Sequence, residues 1–99
     1  MMTIEKTVSD GAAVVAPEGR LDTMTAPELE KELAELIPQI TELTLDFAKL
    51  DYLSSAGLRV LLSAQKQMNR RGSMKVVRVN ECISEIFEIT GFSDILTIE

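Results

Sequence analysis

The chain has 99 residues, one domain on the usual scale of about 100 to 200 residues each, and its 45% hydrophobic and 26% charged residues make an ordinary globular balance. Sixteen acidic against ten basic residues give a net charge of −6, which opposes binding to a nucleic-acid backbone or an anionic membrane surface. With no histidine and one cysteine, the commonest general base, the commonest zinc ligand and any internal disulfide are missing, so neither a metal nor a cofactor is expected.

Thr3–Val8 and Ala12–Pro17 are β-leaning runs, and the Asp10-Gly11 pair between them favours a tight turn. An opening β-hairpin is predicted. Pro17 has no N–H to give to a ladder, which suits a strand end or a sheet edge, and Gly19 is expected to break the chain before Arg20-Leu21-Asp22. Thr25-Ala26-Pro27-Glu28 has the form of a capping box, with Thr25 as N-cap and Glu28 reaching back to it. The helix that follows puts Leu29, Leu33, Leu36 and Ile37 on one face and stops at Pro38.

Leu43, Leu45 and Phe47 alternate with Thr44 and Asp46, the period of a half-buried strand. Asp51–Ser55 reads as a loop. From Ala56 onward Leu58, Leu61, Leu62, Gln65 and Met68 form a helical stripe, and Arg70, Arg71 and Gly72 suit its C-terminus electrostatically and sterically. Met74–Val79 reads as a strand. Asn80 can cap a short helix that turns Ile83, Ile86 and Phe87 inward, Gly91 supplies a left-handed stop, and Ile95–Ile98 reads as a last strand. Cys82 is expected to be a packing residue. Met1–Lys6 has no long apolar run, and no stretch approaches the roughly 20 residues that span a bilayer, so a cytoplasmic protein is expected.

The order β-β-α-β-α-β-α-β predicts a single α/β (α+β) domain over residues 1–99. Its mixed sheet has four to five strands, parallel where strand-helix-strand units pair, with helices packed on it. In such sheets sites gather where the carboxyl end of a strand meets the start of a helix, which directs attention to Asp51–Leu58. Ser54 and Ser55 stand there side by side. Either can cap the helix, and a phosphate on Ser55 would meet free backbone N–H groups and the positive end of the helix dipole. A histidine-activated nucleophilic serine is excluded by the missing histidine and by the missing first glycine of a nucleophile elbow, and a Ser-Lys arrangement through Lys49 or Lys66 has no diagnostic spacing. The five glycines are scattered, so the chain holds neither a phosphate-cradling loop nor a dinucleotide fingerprint.

At Asp51-Tyr52-Leu53-Ser54-Ser55-Ala56-Gly57-Leu58-Arg59-Val60-Leu61-Leu62 the sequence resembles the bacterial anti-sigma factor antagonists of the STAS-domain family. Gly19-Arg20-Leu21-Asp22 is similar to that family's Gly-x-Leu-Asp element, and Ile86–Phe92 to its late helix and glycine turn. The resemblance implies a STAS-like fold and a non-enzymatic regulatory role. On that resemblance the unmodified protein is expected to bind an anti-sigma factor that is also a serine kinase and so to free sigma. Phosphorylation of a serine at a helix start is expected to release the kinase, and a serine phosphatase to reset the switch.

The family pattern Asp-Ser-Ser/Thr-Gly-Leu, anchored on Gly57-Leu58, puts the phospho-acceptor at Ser55, with Ser54 as second choice. Ser54 stands where many members carry aspartate, and Ala56 replaces the second hydroxyl residue. By the same analogy Asp22, Thr23, Met24, Ser54, Gly57 and Arg59 are expected at the partner-facing rim, with no direct contact to nucleic acid or membrane. Two other readings compete. The same fold could serve as a constitutive subunit of a transport or signalling assembly, with Ser55 merely capping a helix. A phosphopantetheine carrier is disfavoured by the strands Leu43–Phe47 and Met74–Val79, since carriers are helical bundles.

Overall fold

The structure, a computed structural model, describes residues 2–99. Met1 lies outside them, and with it the first residue of the opening segment discussed above. Strand β1 (Thr3–Ser9) turns through Asp10 and Gly11 into β2 (Ala12–Leu21). Asp10 and Gly11 have φ of 50° and 80°, the double left-handed conformation of a type I′ turn. The hairpin is therefore present, its strands antiparallel from Ser9 opposite Ala12 to Thr3 opposite Glu18.

Helix α1 (Ala26–Leu36) and a short 3₁₀ turn (Ile37–Gln39) lead to β3 (Glu42–Asp46), β4 (Leu50–Leu53), helix α2 (Ser55–Asn69), β5 (Ser73–Val77) and helix α3 (Glu81–Thr90). The five strands run β1-β2-β3-β5, with β4 also paired to β2. All pairs except β1–β2 are parallel. The expected mixed sheet is thus found, with one strand that the periodicity did not show: Leu50–Leu53 pairs with β2, where the sequence reading placed a loop from Asp51. The reason is the pattern. Four residues in the order buried, exposed, exposed, buried show no alternation by which to distinguish a strand from a turn.

The same pairing corrects the reading of Pro17 and Gly19. Strand β2 runs straight through both, because its first half (Ala12–Val15) pairs with β3 and its last residues (Gly19–Leu21) pair with β4. Gly19 donates its N–H to the Lys49 carbonyl at 3.0 Å, so the Pro17 nitrogen, two residues back, faces the same side of the strand. That side is the gap between the β3 and β4 pairings, where a missing N–H costs no ladder bond. Gly19, at φ +107°, sits at the register shift between the two pairings.

One core fills the space between sheet and helices, with Leu21, Leu29, Leu45, Phe47, Leu61, Met68, Val76, Ile83 and Phe87 fully buried. Each such side chain contributes about 1.5–3 kcal/mol relative to exposure. The inward stripes read from the sequence for α1, α2 and α3 are the buried ones, except that Leu62 of α2 and Ile86 of α3 are only partly covered. Asn80 caps α3: its Oδ1 accepts the Ile83 N–H at 2.8 Å while its Nδ2 donates to the Leu50 carbonyl at 3.0 Å. Gly91 ends α3 at φ +81°, as expected.

Three further expectations are corrected. Ile95–Ile98 forms only an isolated bridge, Ile98 to Val76, because Phe92–Asp94 takes up the chain as a 3₁₀ turn. Cys82 is exposed on the first turn of α3, whose inward positions are Ile83 and Phe87. Gly72 is required for space rather than for a left-handed cap: a Cβ there would come within 1.8 Å of the Thr41 carbonyl oxygen.

Candidate functional site

Parallel pairing of β2 with β4 aligns Leu21 with Leu53, so the residues after each strand emerge at the same edge. Asp22–Met24 and Ser54–Ser55 are these residues. The junction is fixed by the Ser54 N–H, which donates to the Leu21 carbonyl at 2.9 Å. Gly57 is buried beneath it, and a Cβ there would meet Leu53 Cδ1 at 2.6 Å and Leu21 Cγ at 2.8 Å. Only glycine lets the first turn of α2 settle so closely on the ends of both strands. Gly57 therefore shapes the rim from below and offers a partner no surface.

The two serines divide the roles that the sequence left open between them. Ser54 is the N-cap of α2, extended at φ −95° and ψ 176°, its Oγ accepting the Gly57 N–H at 3.4 Å. Ser55 is the first helical residue and is exposed. Among the described residues its hydroxyl has no hydrogen-bond partner in the protein, so it points freely from a helix start.

On the neighbouring strand end, Asp22 takes the capping duty expected of Thr25. Its Oδ1 accepts the Met24 N–H at 3.0 Å and the Thr25 N–H at 3.1 Å, and its carbonyl accepts the Ala26 N–H at 2.8 Å. Thr25 is drawn inward instead: it is buried, accepts the Asp22 N–H at 2.9 Å and donates to the Arg20 carbonyl at 2.6 Å. The capping box with Glu28 does not form, since a carboxylate accepts N–H bonds better than a hydroxyl does. The Thr25 N–H bond, reinforced by Met24 N–H, the Thr25 hydroxyl and the Arg20 charge, holds the Asp22 carboxyl below its usual range. Asp22 is consequently a fixed negative charge at the rim.

Met24 projects from this turn with 83% of its surface exposed, a large apolar side chain held out beside the serines. Thr23 and Arg59 line one shallow depression of about 200 Å³ together with Ala56 and Val60, which joins the Asp22 turn to the first turns of α2. Of the residues expected at the rim, Asp22, Thr23, Met24, Ser54 and Arg59 thus lie in one region with Ser55. The sequence reading missed Arg20 and Tyr52. The Arg20 guanidinium lies 4.2 Å from the Tyr52 ring centre and 3.7 Å from the Asp22 carboxylate, bracing the turn from the sheet side. Their neighbourhood was hidden because it depends on the unrecognised strand β4.

No cluster of three or more metal-ligating side chains occurs among the described residues, and no helix there is long and apolar enough to cross a membrane. Comparison with known proteins agrees with this architecture. The family model for the STAS domain matches residues 3–99. The chain is 35% identical over 91 residues to BtrV of Bordetella bronchiseptica, an anti-sigma factor antagonist by its name, covering 90% of this chain and 78% of that one. Among solved structures, an anti-sigma factor antagonist of Mycobacterium paratuberculosis superposes with a TM-score of 0.90 at 23% identity, covering 99% of this chain and 85% of the other. The Bacillus cell fate determinant SpoIIAA in its phosphorylated form superposes with a TM-score of 0.76 at 16% identity, covering 100% and 91%.

Proposed function

The chain belongs to the STAS-domain family, and we propose from that membership and from the rim just described that it is an anti-sigma factor antagonist switched by phosphorylation of Ser55. It is a binding protein: unmodified, it engages an anti-sigma factor that is also a serine kinase through Asp22, Thr23, Met24, Ser54 and Arg59, and sigma is set free. The names of its relatives support the antagonist role, and the phosphorylated state of SpoIIAA supports a covalent switch on this fold.

The observation that carries the assignment is the division of labour at the start of α2. The Ser54 hydroxyl is engaged as a cap, and the Ser55 hydroxyl beside it is exposed and free. A phosphate on Ser55 adds about −1.5 to −2 charges beside the fixed carboxylate of Asp22. The free N–H groups of the helix start accommodate it at home, worth about 0.3–1 kcal/mol. Toward a partner that fits the unmodified rim it brings repulsion and an unmatched, desolvated charge. Reversing a 1:99 population takes about 5.5 kcal/mol, and like-charge contacts at an interface supply several of these. The switch needs no refolding. A serine phosphatase then restores the binding form.

The test is phosphate transfer from ATP by the cognate kinase, followed by intact mass. One phosphate is expected on the native chain and on Ser54→Ala, and none on Ser55→Ala. A label that persists undiminished in Ser55→Ala transfers the acceptor role to Ser54 and overturns the assignment.

A further inference from the structure

Between Tyr52 and Asn80 the chain contains no Asp or Glu, yet it carries Arg59, Lys66, Arg70, Arg71, Lys75 and Arg78. The fold employs three of these. Arg71 donates to the Pro38 and Ile40 carbonyls, Lys75 pairs with Glu99, and Arg78 pairs with Asp46. Arg59, Lys66 and Arg70 are exposed and, among the described residues, have no carboxylate within ion-pair distance.

Their spacing of seven and then four residues lays them along one face of α2 and its C-cap, over about 16 Å at about 1.5 Å per residue. All three line a single open depression of about 300 Å³, floored by half-buried Leu62 and edged by Ser63 and Gln67. Lys66 and Arg70 lie where the helix dipole favours cations, but four apart they repel one another by a similar amount, so together they add little to folding. On a chain of net charge −6 this is a concentrated exception to the overall sign.

We propose that the Arg59–Lys66–Arg70 face of α2 is a docking surface for a carboxylate-rich amphipathic helix of a partner protein. Charge complementarity selects carboxylates, and the Leu62 floor between the cations selects an occupant with an apolar edge. Width decides the class of partner. Helix α1 packs beside α2 and exposes Glu28, Glu30 and Glu35 against one exposed cation, Lys31, and Glu30 and Lys31 both line the groove between the two helices. A duplex or a membrane, broader than one helix, would meet these carboxylates and be repelled, whereas a single helix fits on α2 alone. The surface extends the partner-facing rim down the helix that Ser55 opens, and it does not require Ser55 to be the acceptor.

The experiment is an amide-shift titration of the labelled full chain with a synthetic helical peptide bearing Glu at matching seven- and four-residue spacing and Leu between. A Gln counterpart of the peptide, a short DNA duplex and vesicles of anionic phospholipid are run in parallel. Saturable shifts confined to the region from Arg59 to Arg70 are expected with the Glu peptide, weakened by salt and lost with the Gln peptide. The variant Arg59→Glu/Lys66→Glu/Arg70→Glu should bind about tenfold more weakly, three exposed pairs each contributing a modest factor. A variant of the same net charge, Lys6→Glu/Lys49→Glu/Lys75→Glu, should bind as the native chain does. The proposal is overturned by the absence of saturable α2 shifts at millimolar peptide, by equal losses in both variants, or by tighter binding of duplex or vesicles than of peptide. Phosphorylation of Ser55 is read separately by mass, so failure here is distinct from failure of the switch.

Discussion

The two ends of α2 are built in opposite ways. At the C-terminal end the Gly72 N–H donates to the Met68 carbonyl at 2.7 Å and the Ser73 N–H to Thr41 at 2.9 Å, and the Arg71 guanidinium reaches across to Pro38 and Ile40. At the N-terminal end Ser54 alone closes the first turn, its carbonyl accepting the Leu58 N–H at 2.9 Å and its hydroxyl the Gly57 N–H at 3.4 Å, and the next residue, Ser55, is exposed. A helix anchored by its far end and by Gly57 beneath its first turn can hold a side chain at a defined place without covering it. Rigidity and accessibility are thus supplied by different residues of one element.

The contrast can be broken most severely at the closed end. Gly72→Ala forces a methyl group into the Thr41 carbonyl, which is backbone and cannot swing aside, and should lower stability by on the order of 3 kcal/mol in urea denaturation. A loss below about 0.5 kcal/mol would show that the end is not locked. At the open end effects should be far smaller. Ser54→Ala removes the cap and should cost about 0.5–1 kcal/mol, whereas Ser55→Ala should change stability by less than about 0.5 kcal/mol while abolishing phosphate acceptance. Equal losses at the two serines would erase the distinction drawn between them.

The smallest expected effect is on pH dependence at the same open end. Asp22, held low by the Thr25 and Met24 N–H groups, has a folded pKa beneath its unfolded value of about 3.9. Its contribution is complete above that pH and is lost as pH falls through the folded value. Asp22→Asn should therefore flatten part of the acid-side fall in melting temperature below about pH 4. Asp46, lowered chiefly by its hydrogen bond from Arg78, acts in the same direction away from the rim. A native chain whose melting temperature rises on acidification would contradict both assignments.

Much of the fold was legible wherever a short stretch contains its own cause. Asp10-Gly11 makes a turn because both residues accept positive φ, Asn80 caps because its carboxamide reaches the Ile83 N–H, and Gly91 stops α3 because it adopts the left-handed region. The apolar stripes of the three helices are equally local. Strand β4, the passage of β2 through Pro17, and the exchange of capping from Thr25 to Asp22 were not legible, since each depends on a neighbour brought from elsewhere in the chain. The same holds for Arg20 against Tyr52, which are 32 positions apart in the sequence but adjacent across the β2–β4 pair.

The sequence by itself determined the three helices, the hairpin, most of the inward faces and the pair of serines at a helix start, because periodicity, turn chemistry and capping act within a few residues. Only the tertiary structure decided which serine is engaged and which is free, and that Asp22 and Met24 stand beside them. It also left Arg59, Lys66 and Arg70 without a carboxylate partner among the described residues while engaging Arg71, Lys75 and Arg78. Those outcomes rest on parallel strand pairing and side-chain reach between distant segments, where the energy of a contact is fixed by what the fold places opposite it.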